Sequence, residues 1–120
     1  MNAIEAIVQR YLATFNETDE ARRGAALREL YTEDCAYTDP LVAATGTEAI
    51  SGFIGGIQKQ YPGLVFTLAG PVDAHHDQAR FTWHAGMPGG DKPLVMGFDV
   101  VALSNGRIRQ VFGFLNAVPA

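Results

Sequence analysis

Leu94-Val95-Met96-Gly97-Phe98-Asp99-Val100-Val101-Ala102-Leu103, followed by Ser104-Asn105-Gly106 and a second run from Arg107 to Leu115, decides the fold class. The first run is apolar on both faces, as a strand covered on both sides must be. Asn105-Gly106 suits a two-residue hairpin turn with both residues at positive φ. Moving back along the chain, Gln78 to Met87 and Leu64 to Ala69 read as further strands. Pro88-Gly89-Gly90-Asp91 and Gly70-Pro71 supply the turns between them.

Ahead of these strands the periodicity changes. Ile4, Ile7, Val8, Tyr11, Leu12 and Phe15 fall on one helical face, with Glu5, Gln9, Arg10 and Asn16 opposite. Thr18 or Asp19 can cap a second helix running to about Tyr31, with Ala26, Leu27, Leu30 and Tyr31 inward. Cys35 to Asp39 reads as a short strand closed by Asp39-Pro40, because proline holds its predecessor extended. Period two puts Cys35, Tyr37 and Asp39 on one face. Thr47 is the expected cap of a third helix, with Ile50, Phe53, Ile54 and Ile57 on its core side and Tyr61-Pro62-Gly63 at its end. Gly52, Gly55 and Gly56 lie inside that helix, so either close packing or room for a ligand is expected there. The order α-α-β-α-β-β-β-β predicts an α+β fold, a sheet backed by helices.

Bulk properties narrow the function. At 120 residues, 48% hydrophobic and 18% charged, the chain is expected to form one domain spanning residues 1–120. A net charge of −4, with nine basic residues, argues against nucleic acid and against an anionic membrane surface. Cys35 is the only cysteine, so an intrachain disulfide and a cysteine metal cluster are both excluded. The start, Met1-Asn2-Ala3-Ile4-Glu5, lacks a secretion signal pattern, and a cytoplasmic location is the default expectation.

Three residues stand out as chemistry. Asp99 shares a strand face with Val95, Gly97, Val101 and Leu103, and a regular turn would set Phe112 opposite it. A carboxylate there loses hydration, so its pKa should rise unless a cation or several donors compensate. The alternative is a structural aspartate bonded to backbone or across an interface. Asp39 reads equally as a turn residue, and Tyr11 as a core tyrosine. Their convergence on inward faces of three elements raises all three. His84 is the other candidate base, but it alternates with Trp83 and so points to the outer surface or a dimer contact. His75-His76-Asp77 reads as a solvated turn.

Val8-Gln9-Arg10-Tyr11, Asp34-Cys35-Ala36-Tyr37-Thr38-Asp39-Pro40, Gly46-Thr47-Glu48-Ala49-Ile50 and Gly97-Phe98-Asp99 resemble segments of the ketosteroid isomerases. These belong with the nuclear-transport-factor-2-like and SnoaL-like (polyketide cyclase-like) domains. The resemblance implies a conical fold, in which a strongly curved, mostly antiparallel sheet wraps three N-terminal helices around an apolar pocket. It implies a homodimer, and a cofactor-independent acid/base enzyme without a metal, acting on a small hydrophobic carbonyl compound. Asp39 matches the general base, while Tyr11 and Asp99 match the oxyanion donors, Asp99 staying protonated in its apolar site. Phe15, Tyr31, Phe53, Ile54, Trp83, Val101 and Phe112 are the expected pocket walls. Three departures accompany the likeness. Ile54 stands where the isomerases carry a tyrosine, Trp83 replaces a smaller residue, and the last hairpin is about two residues shorter. Gly97 stands where epoxide hydrolases of this fold carry an arginine. A polyketide-cyclase-like enzyme and a non-catalytic ligand-binding or dimerisation domain are the alternatives.

Overall fold

The computed structural model describes residues 3–117, so the expected domain of 1–120 and the Met1-Asn2 start reach outside the described residues. Three helices, α1 (Ala3–Asn16), α2 (Glu20–Leu30) and α3 (Thr47–Gln60), pack on a seven-stranded mixed sheet. Its strands are β1 (Tyr31–Thr38), β2 (Ala43–Thr45), β3 (Val65–Leu68), β4 (Asp73–His75), β5 (Gln78–Gly86), β6 (Val95–Ser104) and β7 (Arg107–Ala117). The spatial order is β2-β1-β7-β6-β5-β3, with β4 also on β5. All pairings are antiparallel except β1 with β7, which is parallel.

Of the two caps the sequence offers α2, Asp19 is the one used, accepting a bond from the Arg22 amide at 2.9 Å. Other boundaries differ from the sequence reading. That helix stops at Leu30, and Tyr31 opens a strand longer than the expected Cys35–Asp39. The cap of α3 is Gly46 at φ 86 without a side-chain bond, and Thr47 is already helical. β2 and β4 were not expected, because three residues are too few for alternation to register.

Side chains tie the helices together and to the sheet. Arg23, 4% exposed, donates to Ser51 Oγ, the Glu17 carbonyl and Gln58 Oε1, spanning α2, the α1–α2 turn and α3. A Cβ on Gly55 would lie 3.1 Å from that guanidinium, so Gly55 marks close packing. Nothing in the structure explains Gly52 and Gly56. Asn16 clamps α1 to β3 by bonding both the amide and the carbonyl of Phe66, at 2.8 and 2.9 Å.

The last hairpin forms as its sequence predicts at the turn, with Asn105 at φ 51 and Gly106 at φ 79. Beyond the turn a bulge intervenes. Leu103 pairs with Ile108 but Ala102 pairs with Gln110, leaving Arg109 unmatched. One extra residue exchanges the two faces of everything that follows. Gly113, not Phe112, therefore stands opposite Asp99. Phe112 is turned to the outer face and is 45% exposed.

Candidate active site

Tyr11, Asp39 and Asp99 line one cavity of about 360 Å³. α1 presents Tyr11, Leu12 and Phe15; α3 presents Phe53, Ile57 and Gln60 at helical spacing. The sheet adds Tyr37, Phe66, Trp83, Val95, Asp99 and Leu115, while Leu64, Tyr61, Asp39 and the largely exposed Leu41 complete the lining. Among the described residues neither lysine nor arginine lines it, and the formal charges there are the two carboxyl groups.

Asp99 is 3% exposed and accepts two bonds, one on each oxygen. The Tyr11 hydroxyl donates to Oδ2 at 2.5 Å and the Trp83 indole donates to Oδ1 at 3.0 Å. Burial pushes the Asp99 pKa up to about 6. The two donors oppose that rise by stabilising the carboxylate, and the neighbouring Asp39 charge adds to it. Tyr11 is raised well above the ordinary tyrosine value, first by its own burial and then by the Asp99 charge. Gly97 makes the Trp83 contact possible. The two residues are paired across β5 and β6, and a Cβ on Gly97 would lie 2.6 Å from Trp83 Cζ2. Without that Cβ the indole lies over the β6 backbone and reaches diagonally to Asp99.

Asp39 follows β1 directly and is held by three donors. Its Oδ1 accepts from the Leu41 and Val42 amides at 2.8 and 3.0 Å, and its Oδ2 from the Tyr37 hydroxyl at 2.7 Å. Asp39 is thus both the turn residue and a cavity residue. Tyr37 is raised above the ordinary value by burial first, then by the charges of Asp99 and Asp39. Gly113 sits between the two acids. A Cβ there would lie 3.0 Å from Asp99 Oδ1 and 3.1 Å from Asp39 Cβ. Its missing side chain lets the two carboxyl-bearing segments close on one space.

Of the expected walls, Phe15, Phe53 and Trp83 line the cavity, whereas Tyr31, Ile54, Val101 and Phe112 do not. Tyr31, Ile54 and Val101 are fully covered core residues beneath it. Ile54 lies on the core stripe of α3 with Ile50, beside the cavity stripe of Phe53, Ile57 and Gln60. The buried Tyr31 hydroxyl lacks a hydrogen-bond partner among the described residues. Phe112 is outside because of the bulge. Tyr37 was missed as a site residue, although its shared face with Asp39 was the available signal. The donor role of Trp83 was missed because alternation gives a face and not the reach of an indole. His84 lines an outer groove with Thr67 and Pro93, as expected. His76 sits in the turn after β4 at φ 53. Among the described residues, no group of three or more histidine, cysteine, aspartate or glutamate side chains is arranged to hold a metal ion. No described helix is long and apolar enough to cross a membrane.

The chain is similar to known proteins over nearly its whole length. A proposed isomerase of the SnoaL-like family from Agrobacterium tumefaciens shares 38% identity, covering 98% of this chain and all of that one, with a TM-score of 0.91. A proposed ketosteroid isomerase from Kribbella flavida, 20% identical, covers 96% of this chain and 78% of its own, with a TM-score of 0.69. A proposed polyketide cyclase from Sinorhizobium meliloti, 17% identical, covers 94% and 99% respectively, with a TM-score of 0.71. These last two share the fold. No curated protein matches the sequence. The SnoaL-like domain family matches residues 8–111, and the chain belongs to that family.

Proposed function

We propose that the protein is a cofactor-independent acid/base enzyme acting on a small hydrophobic carbonyl compound, closest in chemistry to a ketosteroid-isomerase-type isomerase. The observation that carries this reading is the pair of carboxyl groups, Asp39 and Asp99, facing one apolar cavity with a tyrosine hydroxyl on the buried acid. A volume of about 360 Å³ lies at the small end of ligand pockets, which supports a compact substrate.

The chemistry follows from the geometry. Asp39, half-exposed and held by three donors, takes a proton from the carbon next to the carbonyl. The C–H electrons move into an enolate, and negative charge develops on the carbonyl oxygen. Donors at the Tyr11–Asp99 pair stabilise that charge more than the neutral ketone, which lowers the barrier. Protonated Asp39 then returns the proton at another carbon. Incubating the protein with an enolisable ketone in deuterium oxide should give deuterium incorporation by NMR, and Asp39→Asn should abolish it. Incorporation that survives Asp39→Asn would remove this mechanism.

One observation favours a second reading, a polyketide-cyclase-like enzyme. With a pKa of about 6 and a donor on each oxygen, Asp99 is mostly ionised at neutral pH and suited to act as the base itself. The two readings have opposite pH signs. A donor role for Asp99 is lost as pH rises through about 6, whereas a base role is lost as pH falls through it. A non-catalytic binding domain would retain ligand after Asp39→Asn and show no exchange at any pH.

We further infer that the protein pairs with a second copy through the outer sheet face. Phe98 and Phe114 stack there with centroids 4.9 Å apart, and Phe112 and Phe114 are 45% and 49% exposed. A patch of this kind supports an interface.

A further inference from the structure

The bonds around Asp99 restrict where its proton can sit. An indole N–H donates and cannot accept, so the Asp99 Oδ1 that faces Trp83 must be an acceptor. Protonating Oδ1 would make it the weaker acceptor of the two oxygens and weaken the indole bond. The Tyr11 hydroxyl on Oδ2 is different, because it donates or accepts according to the rotation of its O–H bond. The indole is also held in place. It lies over the Gly97 backbone on one side and against the Phe66 ring on the other, with centroids 5.4 Å apart.

We propose that Trp83 is a positioning residue that confines the acid proton of Asp99 to Oδ2, so that Asp99 acts on a bound carbonyl through Tyr11 and not beside it. The proposal deepens the isomerase reading above and rests on it for the catalytic consequence. When Asp99 is ionised, the Tyr11 O–H points at Oδ2 and is withheld from the cavity. When Asp99 is protonated, its Oδ2–H donates to the tyrosine oxygen, and the Tyr11 O–H turns to a carbonyl in the cavity. The two donors then act in series, with a single hydrogen bond to the substrate.

The titrating environment is defined on every side. Asp99 is faced by Tyr11 from α1, Trp83 from β5, Tyr31 and Tyr37 from β1, and Asp39 beyond the end of β1. The tyrosines stay neutral across the acidic and neutral range, which leaves Asp39 as the facing charge among the described residues.

The chain contains one tryptophan, so its indole N–H gives a single, unambiguous NMR reporter. In ligand-free wild-type protein the indole N–H resonance should move with pH in one step. Its midpoint should match that of the Asp99 carboxyl carbon, near 6. In Asp99→Asn the indole resonance should stay flat. An indole that fails to titrate, or that still titrates in D99N, overturns the proposal. Trp83→Phe keeps an aromatic ring against Phe66 and removes the donor. It should raise the Asp99 midpoint by about one pH unit, the size of a lost charge-assisted bond. The Asp99-dependent limb of the deuterium-exchange profile should move with it, which a purely structural role would not produce. An unmoved Asp99 midpoint in W83F overturns the proposal. The wild-type titration needs no change at Trp83, so it decides the matter even if W83F does not fold. The proton's place is read on the acid side of that step, where the indole N–H should stay slowly exchanging because Oδ1 still accepts it; an N–H released to solvent there puts the proton on Oδ1 and overturns the proposal. This readout needs no substrate, so an indole that titrates and stays bonded without exchange activity upholds the proton placement and removes only the isomerase reading.

Discussion

The raised pKa of Asp99 ties the stability of the fold to pH. An ordinary aspartate titrates near 3.8, and this one is pushed up to about 6 by burial. Below the lower value the group is neutral in both folded and unfolded chains, and its contribution is intact. As pH rises through about 6 the folded protein must hold a buried charge, so that contribution is lost. The loss amounts to about 3 kcal/mol. Asp99→Asn carries no charge, and its amide can donate to Tyr11 while its oxygen accepts from Trp83. Urea unfolding should therefore show D99N gaining on wild type by about 2–3 kcal/mol between pH 4 and pH 8. A stability difference independent of pH would contradict the burial account. Asp99 was legible in the sequence because a carboxyl group inside an apolar strand is conspicuous. Asp39 and Tyr11 were legible only jointly, since each alone is an ordinary turn or core residue. Phe112 was misplaced for a physical reason: no residue near Arg109 advertises the bulge.

At the level of elements, two positions combine several interactions in one residue. Gly97 keeps the middle of β6 thin enough for the Trp83 indole. Gly97→Ala would drive a methyl into that ring and toward the Phe114 carbonyl. It should destabilise the protein by about 1–3 kcal/mol and displace the indole resonance of Trp83, measured by thermal melts and NMR. Arg23 joins three segments through neutral acceptors. Arg23→Met should leave Gln58 Oε1 and Ser51 Oγ without their Arg23 donor, while the Glu17 carbonyl keeps its bond from Gln58 Nε2, and should reduce stability by about 1–3 kcal/mol in urea titrations. A change below about 0.5 kcal/mol would mean water replaces those bonds freely. Helical periodicity held a partial signal for this role, because Arg23 precedes Leu27 by one helical step on the same face. The two three-residue strands held none.

For the whole molecule, the order of helices and strands was legible because hydrophobic period changes from 3.6 to 2 along the chain. The partners of each strand were less so, since pairing depends on turns and bulges at single residues. The outer sheet face carries the remaining prediction. Phe114→Glu places a charge in the exposed aromatic patch, and the variant should sediment as a monomer where wild type sediments as a dimer. A monomeric wild type would end the pairing inference.

The parallel contact of β1 with β7 has a bearing on synthesis. During translation, β1 emerges early, yet the neighbour that bonds its far edge is made only near the close of the described chain. Until then that edge is unpaired, and the Asp39 turn is held only by its own local bonds and the β1–β2 pairing. Such distant pairings form slowly. A nascent chain halted before β7 would carry Tyr11 and Asp39 but not the Gly113 gap that brings Asp39 up to Asp99, so the cavity's two acids would meet only once β7 is in place.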